Sequence, residues 1–195
     1  MSEQIKHARL TRMIHMGLAL AVTLQMLGSL LIEIFEDTQT GKDILLYHQY
    51  IGLVAFVLIL LFWLIVMIRN IGTDPALLFP WVAKARRAMI WAELKTHYAT
   101  LKSRQIPSFD PHSPLAPAVH GLGLLLILAM AGSGTIYYFI NTGDPDAGGL
   151  VGVVMFIHTT LANLVWVYLF AHAGFAVLHH YLKDMDLREM WSLKK

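Results

Sequence analysis

The chain contains no cysteine. That excludes a disulfide scaffold, a zinc ribbon, an iron–sulfur cluster and covalently attached c-type haem, all of which need thiols. Charge is scarce too. Only 14% of the 195 residues are Asp, Glu, Lys or Arg, against about 25% in a soluble domain. A net charge of +2 gives no reason to expect a nucleic-acid partner. Nothing in the chain resembles a Ser/His/Asp triad, a phosphate loop or a paired-carboxylate site. What is abundant is apolar: 56% of the residues are hydrophobic, far too many for a disordered chain.

The charges are missing altogether from four runs, Met13–Ile32, Ile44–Ile68, Pro111–Gly143 and Ala147–Leu182. Each reaches the length of about 20 apolar residues that a bilayer demands of a helix. This predicts an all-α membrane protein, a four-transmembrane-helix up-and-down bundle in one domain over 1–195. The helices fall at about 10–35, 44–69, 115–140 and 150–182. The first is too long for a signal-peptide core and lacks a convincing cleavage site, so it is expected to be retained. Of the 15 Lys and Arg, all but Lys42 lie in three segments. Lys6, Arg9 and Arg12 lie at the N-terminus. Arg69, Lys84, Arg86, Arg87, Lys95, Lys102 and Arg104 follow the second helix. Lys183, Arg188, Lys194 and Lys195 close the chain. Positive charge stays inside, so both termini and the central loop are expected to be cytoplasmic. Glu36, Asp37, Asp43, Asp144 and Asp146 make the outer face mildly acidic.

The central loop, about 70–114, is punctuated by Gly72, Pro75 and Pro80 at its start and Pro107, Pro111 and Pro114 at its end. Between them, Trp81–Arg104 reads as an amphipathic helix. Ile90, Leu94, Tyr98 and Leu101 recur at helical spacing, with Lys84, Arg87, Lys95 and Lys102 elsewhere on its surface. Such a helix either lies on anionic lipid headgroups or docks a partner, and the first reading is preferred.

Ionisable groups within a span are functional by default. Inside the charge-free runs histidine is the recurring polar group. His15 lies near the inner end of the first helix, His48 near the outer end of the second, and His120 near the inner start of the third. The fourth holds His158 towards its outer end, His172 towards its inner end, and His179 and His180 at its exit. His158 and His172 are separated by about 21 Å along the helix and point to nearly the same face. His48 is level with His158, and His15 with His172. Two His–His pairs result, stacked across the bilayer. A lone buried histidine is more often a satisfied polar residue than a ligand, but two depth-matched pairs favour ligation. Neutral imidazole is a good metal ligand, and bundles hold cofactors between facing helices. Two imidazoles on one haem iron leave no open position, which favours electron transfer over oxygen chemistry. A macrocycle against a helix needs clearance one turn from its ligand, and residues at i and i+4 share a face. The i+4 partners of His15, His48, His158 and His172 are Ala19, Gly52, Ala162 and Ala176.

His120 reads as an ordinary buried polar residue, with a quinone contact or a haem-propionate partner as alternatives. His179 and His180 read as a polar pair at the lipid boundary with the same alternatives. His7, His97 and His112 are expected to be solvated. Gly132 and Gly134, around Ser133, fit close helix packing better than a haem edge. Trp63, Tyr137, Tyr138, Trp166 and Tyr168 read in part as an interfacial belt.

These features resemble the prokaryotic di-haem b-type cytochromes: the bacterial cytochrome b561 family and the b-type cytochrome subunits of nickel–iron hydrogenases. His158–Leu187, HTTLANLVWVYLFAHAGFAVLHHYLKDMDL, carries the strongest likeness. It has a His, then Leu-Ala-Asn, a second His 14 residues on, and His-His-Tyr at His179–Tyr181. RLTRMIHMGLAL matches the first-helix pattern, with Met16 where the family usually has Trp; YHQYIGL is close to its His-x-x-x-Gly. The longer central loop and DPHSPLAPAVHGLG are more like the hydrogenase-associated subunits.

The resemblance implies two haem b, with axial ligands His15 with His172 and His48 with His158, in a multi-pass protein of the bacterial inner membrane. It implies electron transfer between the quinone pool and a partner redox protein: a dehydrogenase, a hydrogenase or a c-type cytochrome. The chain would then be an electron-transfer subunit of a respiratory oxidoreductase rather than a stand-alone enzyme. Two competitors are a stand-alone quinone-reducing oxidase of superoxide and a histidine-based metal or proton transporter. The paired depths and the lack of carboxylates along the spans speak against the transporter.

Overall fold

A computed structural model describes residues 8–69, 73–107, 110, 112–142, 148–182 and 186–192. Lys6, His7, Gly72, Pro111, Gly143, Asp144, Asp146, Ala147, Lys183, Lys194 and Lys195, singled out above, lie outside the described residues. The described residues are helical and loop throughout, with no strand. The four long helices are α1 (Arg9–Ile34), α2 (Gln39–Ile68), α5 (Leu115–Ile140) and α6 (Gly149–Tyr181). Between α2 and α5 come α3 (Pro75–Leu78), a 3-10 turn at Pro80–Val82 and α4 (Lys84–Lys102); α7 (Arg188–Trp191) closes the chain. The four long helices are each long and apolar enough to cross a membrane, within a residue or so of the expected spans except at the start of α2.

That exception has a local cause. Thr38 caps α2: its hydroxyl accepts from the Gly41 N–H at 3.1 Å and donates to the Phe35 carbonyl at 2.8 Å. One side chain therefore closes α1 and opens α2 five residues before the charge-free run begins, carrying Lys42 and Asp43 into the helix. Gly41 is required there, because a Cβ would lie 2.0 Å from the Phe35 carbonyl oxygen.

α1 packs along α2, α2 along α5 and α5 along α6. The interior is a thin apolar seam of Leu18, Met26, Ile59, Ile127 and Val165. The outer faces are apolar as well: Phe139 is 74% exposed, Phe156 70% and Val167 68%. A water-soluble bundle does not leave such continuous apolar surface uncovered; a lipid-facing one does.

The connection from α2 to α5 plugs the end of the bundle that carries both termini. Asp74 caps α3, accepting from the Ala76 N–H at 2.8 Å, with Pro75 in the first turn. Leu78 is buried against Phe62 and Val66, and Phe79 stacks on Trp63 at 5.0 Å between ring centres. A Cβ at Gly121 would lie 1.8 Å from the Leu78 carbonyl oxygen, so α3 rests directly on the backbone of α5.

The amphipathic helix forms as α4, slightly shorter than expected because Pro80 starts a separate turn. Its orientation differs from a simple core-facing stripe. Ile90 is buried and Glu93 and His97 are half-buried, whereas Leu94, Tyr98 and Leu101 are exposed together with Trp91. Lys95 sits over the Trp91 ring at 5.7 Å. His97 is half-buried rather than fully solvated, and its Nδ1 lies 3.1 Å from the Glu93 carbonyl. Glu93 ties α4 to α5. Its carboxylate accepts from the Leu115 N–H at 3.1 Å and from the Ser113 hydroxyl at 2.5 Å. Glu93→Ala removes this borrowed cap, worth about 0.5–2 kcal/mol for side-chain caps. We expect faster amide exchange across α4 and the first turn of α5 while the four spans stay protected; equal protection of α4 in both proteins would refute the cap.

The four-residue α7 has no sequence signature and was not anticipated. Asp186 accepts from the Arg188 N–H at 2.9 Å and pairs with the Arg188 guanidinium at 2.6 Å. These bonds, the side-chain one foremost, hold the Asp186 carboxyl below the usual carboxylate range. Arg12 of α1 is buried beneath this tail and donates to the Ser192 carbonyl at 2.5 Å.

Candidate ligand sites built from two histidine pairs

Besides the apolar seam, histidine rings of α6 face histidine rings of α1 and α2. Towards the end of the bundle away from the termini, His48 of α2 faces His158 of α6, ring centres 6.4 Å apart and planes at 89°. Towards the terminal end, His15 of α1 faces His172 of α6, again at 6.4 Å, with planes at 61°. The two pairs inferred from depth are brought together, each at a different level of the bundle.

The separation is chemically informative. A metal–imidazole bond of about 2.0–2.1 Å plus about 1.1 Å from nitrogen to ring centre puts two imidazoles on opposite sides of one metal about 6.3 Å apart. An edge-to-face ring contact without a metal gives a similar separation, so the distance permits a metal between the rings without requiring one. The residues would therefore accept a metal between the rings at either pair.

The distal pair has further features suited to a ligand. His158 Nδ1 lies 3.0 Å from Ser133 Oγ and 3.2 Å from the Met130 carbonyl, both on α5. A carbonyl oxygen only accepts, so Nδ1 carries the proton and Nε2 keeps its lone pair for a metal. Gly134 lets this ring lie against α5: a Cβ there would be 2.7 Å from His158 Cε1. Gly132, by contrast, would place its Cβ at an ordinary 3.7 Å from Phe56. The glycines thus serve packing, as expected, but Gly134 packs on a candidate ligand. His48 Nδ1 is buried with no hydrogen-bond partner among the described residues. The clearance expected at Gly52 is taken by Gln25, whose amide lies 3.2 Å from the modest volume a Cβ would fill and donates to the His48 carbonyl at 2.5 Å. Ala19, Ala162 and Ala176 are half-buried.

The pair near the termini sits in an aromatic nest. Tyr168 stacks on His172 at 5.4 Å with planes 10° apart. Its hydroxyl fills the place a side chain at Gly123 would take, with only 2.0 Å to a Cβ. Tyr168 therefore faces inward rather than joining a membrane-surface belt, and Trp63 likewise stacks on Phe79. His15 touches Phe62 at 6.4 Å and Trp191 at 6.0 Å, the latter edge to face. His120 is exposed rather than buried as expected, and it approaches His172 to 5.3 Å, so it borders this neighbourhood. His179 stacks on Phe175 at 6.5 Å, and His180 is exposed beside Tyr181. His112 is exposed, as expected, 3.6 Å from Asp110.

Sequence reasoning missed Gln25, Met130 and Trp191, and it passed over Ser133 as a spacer between glycines. Trp191, a lone aromatic in a charged tail, was the one visible signal. Among the described residues no group of three or more His, Asp or Glu is arranged to hold a metal ion. A carboxylate-rich cation site of the kind a metal transporter uses is therefore not present among them.

The prokaryotic cytochrome b561 family matches residues 6–193, nearly the whole chain. No curated protein and no solved structure matches it. The chain belongs to the prokaryotic cytochrome b561 family. It is a multi-pass membrane protein of transmembrane electron transport, and the family implies haem b.

Proposed function

We propose that this cytochrome b561 binds two b haems, one between His48 and His158 and one between His15 and His172. It would carry single electrons between the quinone pool and a partner redox protein in the bacterial inner membrane. The observation that carries the reading is the equal 6.4 Å separation of the two histidine pairs. Haem supplies reversible one-electron chemistry when bound. The chain's own part is ligation, orientation and tuning.

α6 contributes one histidine to each pair, and their separation of about 21 Å along one helix fixes the spacing of the two sites. Holding a haem between two histidines would leave no position for a small oxidant, so the sites would suit electron transfer. The Lys and Arg distribution supports a cytoplasmic position for both termini. His48 and His158 then lie near the outer face and His15 and His172 near the inner face. The partner would be a dehydrogenase, a hydrogenase or a c-type cytochrome. The stripe of Trp91, Leu94, Tyr98 and Leu101 on α4, with Lys84, Arg87, Lys95 and Lys102, suits anionic headgroups at the inner surface.

Proteoliposomes test this directly. Quinol is added outside and ferricyanide is trapped inside. We expect transmembrane reduction by the native protein and a loss of at least about tenfold in His48→Ala and His172→Ala, since each breaks one of two sites in series. Equal flux in the native protein and both variants would contradict the reading. Superoxide oxidation by the purified protein, with quinone and no partner, would move the assignment to a stand-alone oxidase.

A further inference from the structure

The two ligands of the distal pair are held differently. His158 has a built set of acceptors on α5, whereas His48 Nδ1 has no partner among the described residues. Ser133 is at the centre of that set. It is 8% exposed, in the middle of an apolar helix. Its hydroxyl donates back to the Met130 carbonyl at 2.9 Å, the ordinary bond of a buried helical serine. With its proton committed there, its lone pairs are left to accept the His158 Nδ1–H at 3.0 Å. The same N–H also lies 3.2 Å from the Met130 carbonyl. The three groups form a closed triangle in which every proton has one owner.

We infer that Ser133 is a positioning residue that fixes the tautomer and ring orientation of His158 and sets the potential of the iron bound there. The inference rests on ligation by His158, proposed above. An acceptor on the far nitrogen fixes which nitrogen faces the metal and makes the imidazole a stronger donor. A stronger donor favours ferric over ferrous iron, so the bond lowers the reduction potential of that site. Loss of the acceptor raises it. The ring is also freed to turn about its Cβ–Cγ bond, since Met130 alone holds it at the longer distance.

The test uses Ser133→Ala and Ser133→Thr in the purified, haem-loaded protein, with His158→Ala beside them. Redox titration and low-temperature electron paramagnetic resonance of the oxidised protein give the readouts. Outer contacts to metal-bound histidine change metal affinity by about 10–100-fold. If about tenfold of that discriminates ferric from ferrous iron, the shift is about 59 mV for one electron. We expect one of the two potentials in Ser133→Ala to rise by up to this amount with altered g-values, the other to stay, and Ser133→Thr to restore both. Should Ser133→Ala not accumulate, Ser133→Cys, whose sulfur is a weak acceptor, is read by the same criteria. Unchanged potentials and g-values in Ser133→Ala, or equal shifts in the Ala and Thr variants, would overturn the role while leaving ligation by His158 intact. Two haems of native spectrum in His158→Ala would overturn the ligation itself.

Discussion

His158→Ala is expected to give a folded protein that keeps one haem and loses the other. His172→Ala is expected to do the same at the opposite site. On the proposed ligation, each substitution would remove one of the two histidines that hold a haem and open a cavity where the ring stood. The amplitude of the reduced-minus-oxidised spectrum should fall to about half in each single variant, because each b haem contributes its own band. The double variant should be colourless. Folding should survive, because the helices also pack through the apolar seam of Leu18, Met26, Ile59, Ile127 and Val165, which contains neither ring. His112→Ala is the control: its side chain is 93% exposed and the spectrum should not change. Loss of both haems from a folded His158→Ala protein would show that the sites are not independent. Loss of neither would remove His158 from the ligand set.

Gly134→Ala is the second large effect, and here two magnitudes oppose each other. Within a helix, alanine is favoured over glycine by about 0.5–1 kcal/mol. The new methyl, however, would stand 2.7 Å from His158 Cε1 and 3.2 Å from Nδ1. The ring cannot simply retreat, since Nδ1 is bonded to Ser133 and Met130. Overpacking of this kind costs about 1–3 kcal/mol, so the clash outweighs the propensity gain. The cost falls on the position of one ring, and haem at that site should bind about tenfold more weakly or worse, as 1.4 kcal/mol equals a factor of ten. Gly132→Ala meets only an ordinary 3.7 Å contact with Phe56 and should keep both haems. Haem titration into the two apoproteins makes the comparison. Equal affinities in Gly132→Ala and Gly134→Ala would contradict the packing argument.

The spans were legible because bilayer thickness and the exclusion of charge leave a one-dimensional trace. The trace fails only where a cap overrides it, at Thr38 and Gly41. The histidine pairs were legible for a related reason: depth in a bundle is sequence distance multiplied by helix rise, so His48 and His158 could be set level before any fold was known. Contacts that depend on helix rotation left no such trace. Gln25 reaching the His48 carbonyl, Ser133 turning to His158 and Tyr168 stacking on His172 are all of this kind. α3 and α7 span four residues each, less than the window in which helical periodicity can be recognised. α4 shows the remaining ambiguity. Its apolar stripe was visible, but beside a membrane an apolar stripe can be satisfied by lipid as well as by a core. Leu94, Tyr98 and Leu101 are accordingly exposed while Ile90 alone is buried.

The central claim, two bis-histidine sites in one chain, is tested most directly by the haem-to-protein ratio of the purified native protein. It should be read together with the low-temperature paramagnetic resonance spectrum of the oxidised form. We expect two haem b per chain, both low-spin, as two histidines on each iron would make them. A folded protein made with ample haem that carries one haem, none, or a high-spin iron with an open position would contradict it.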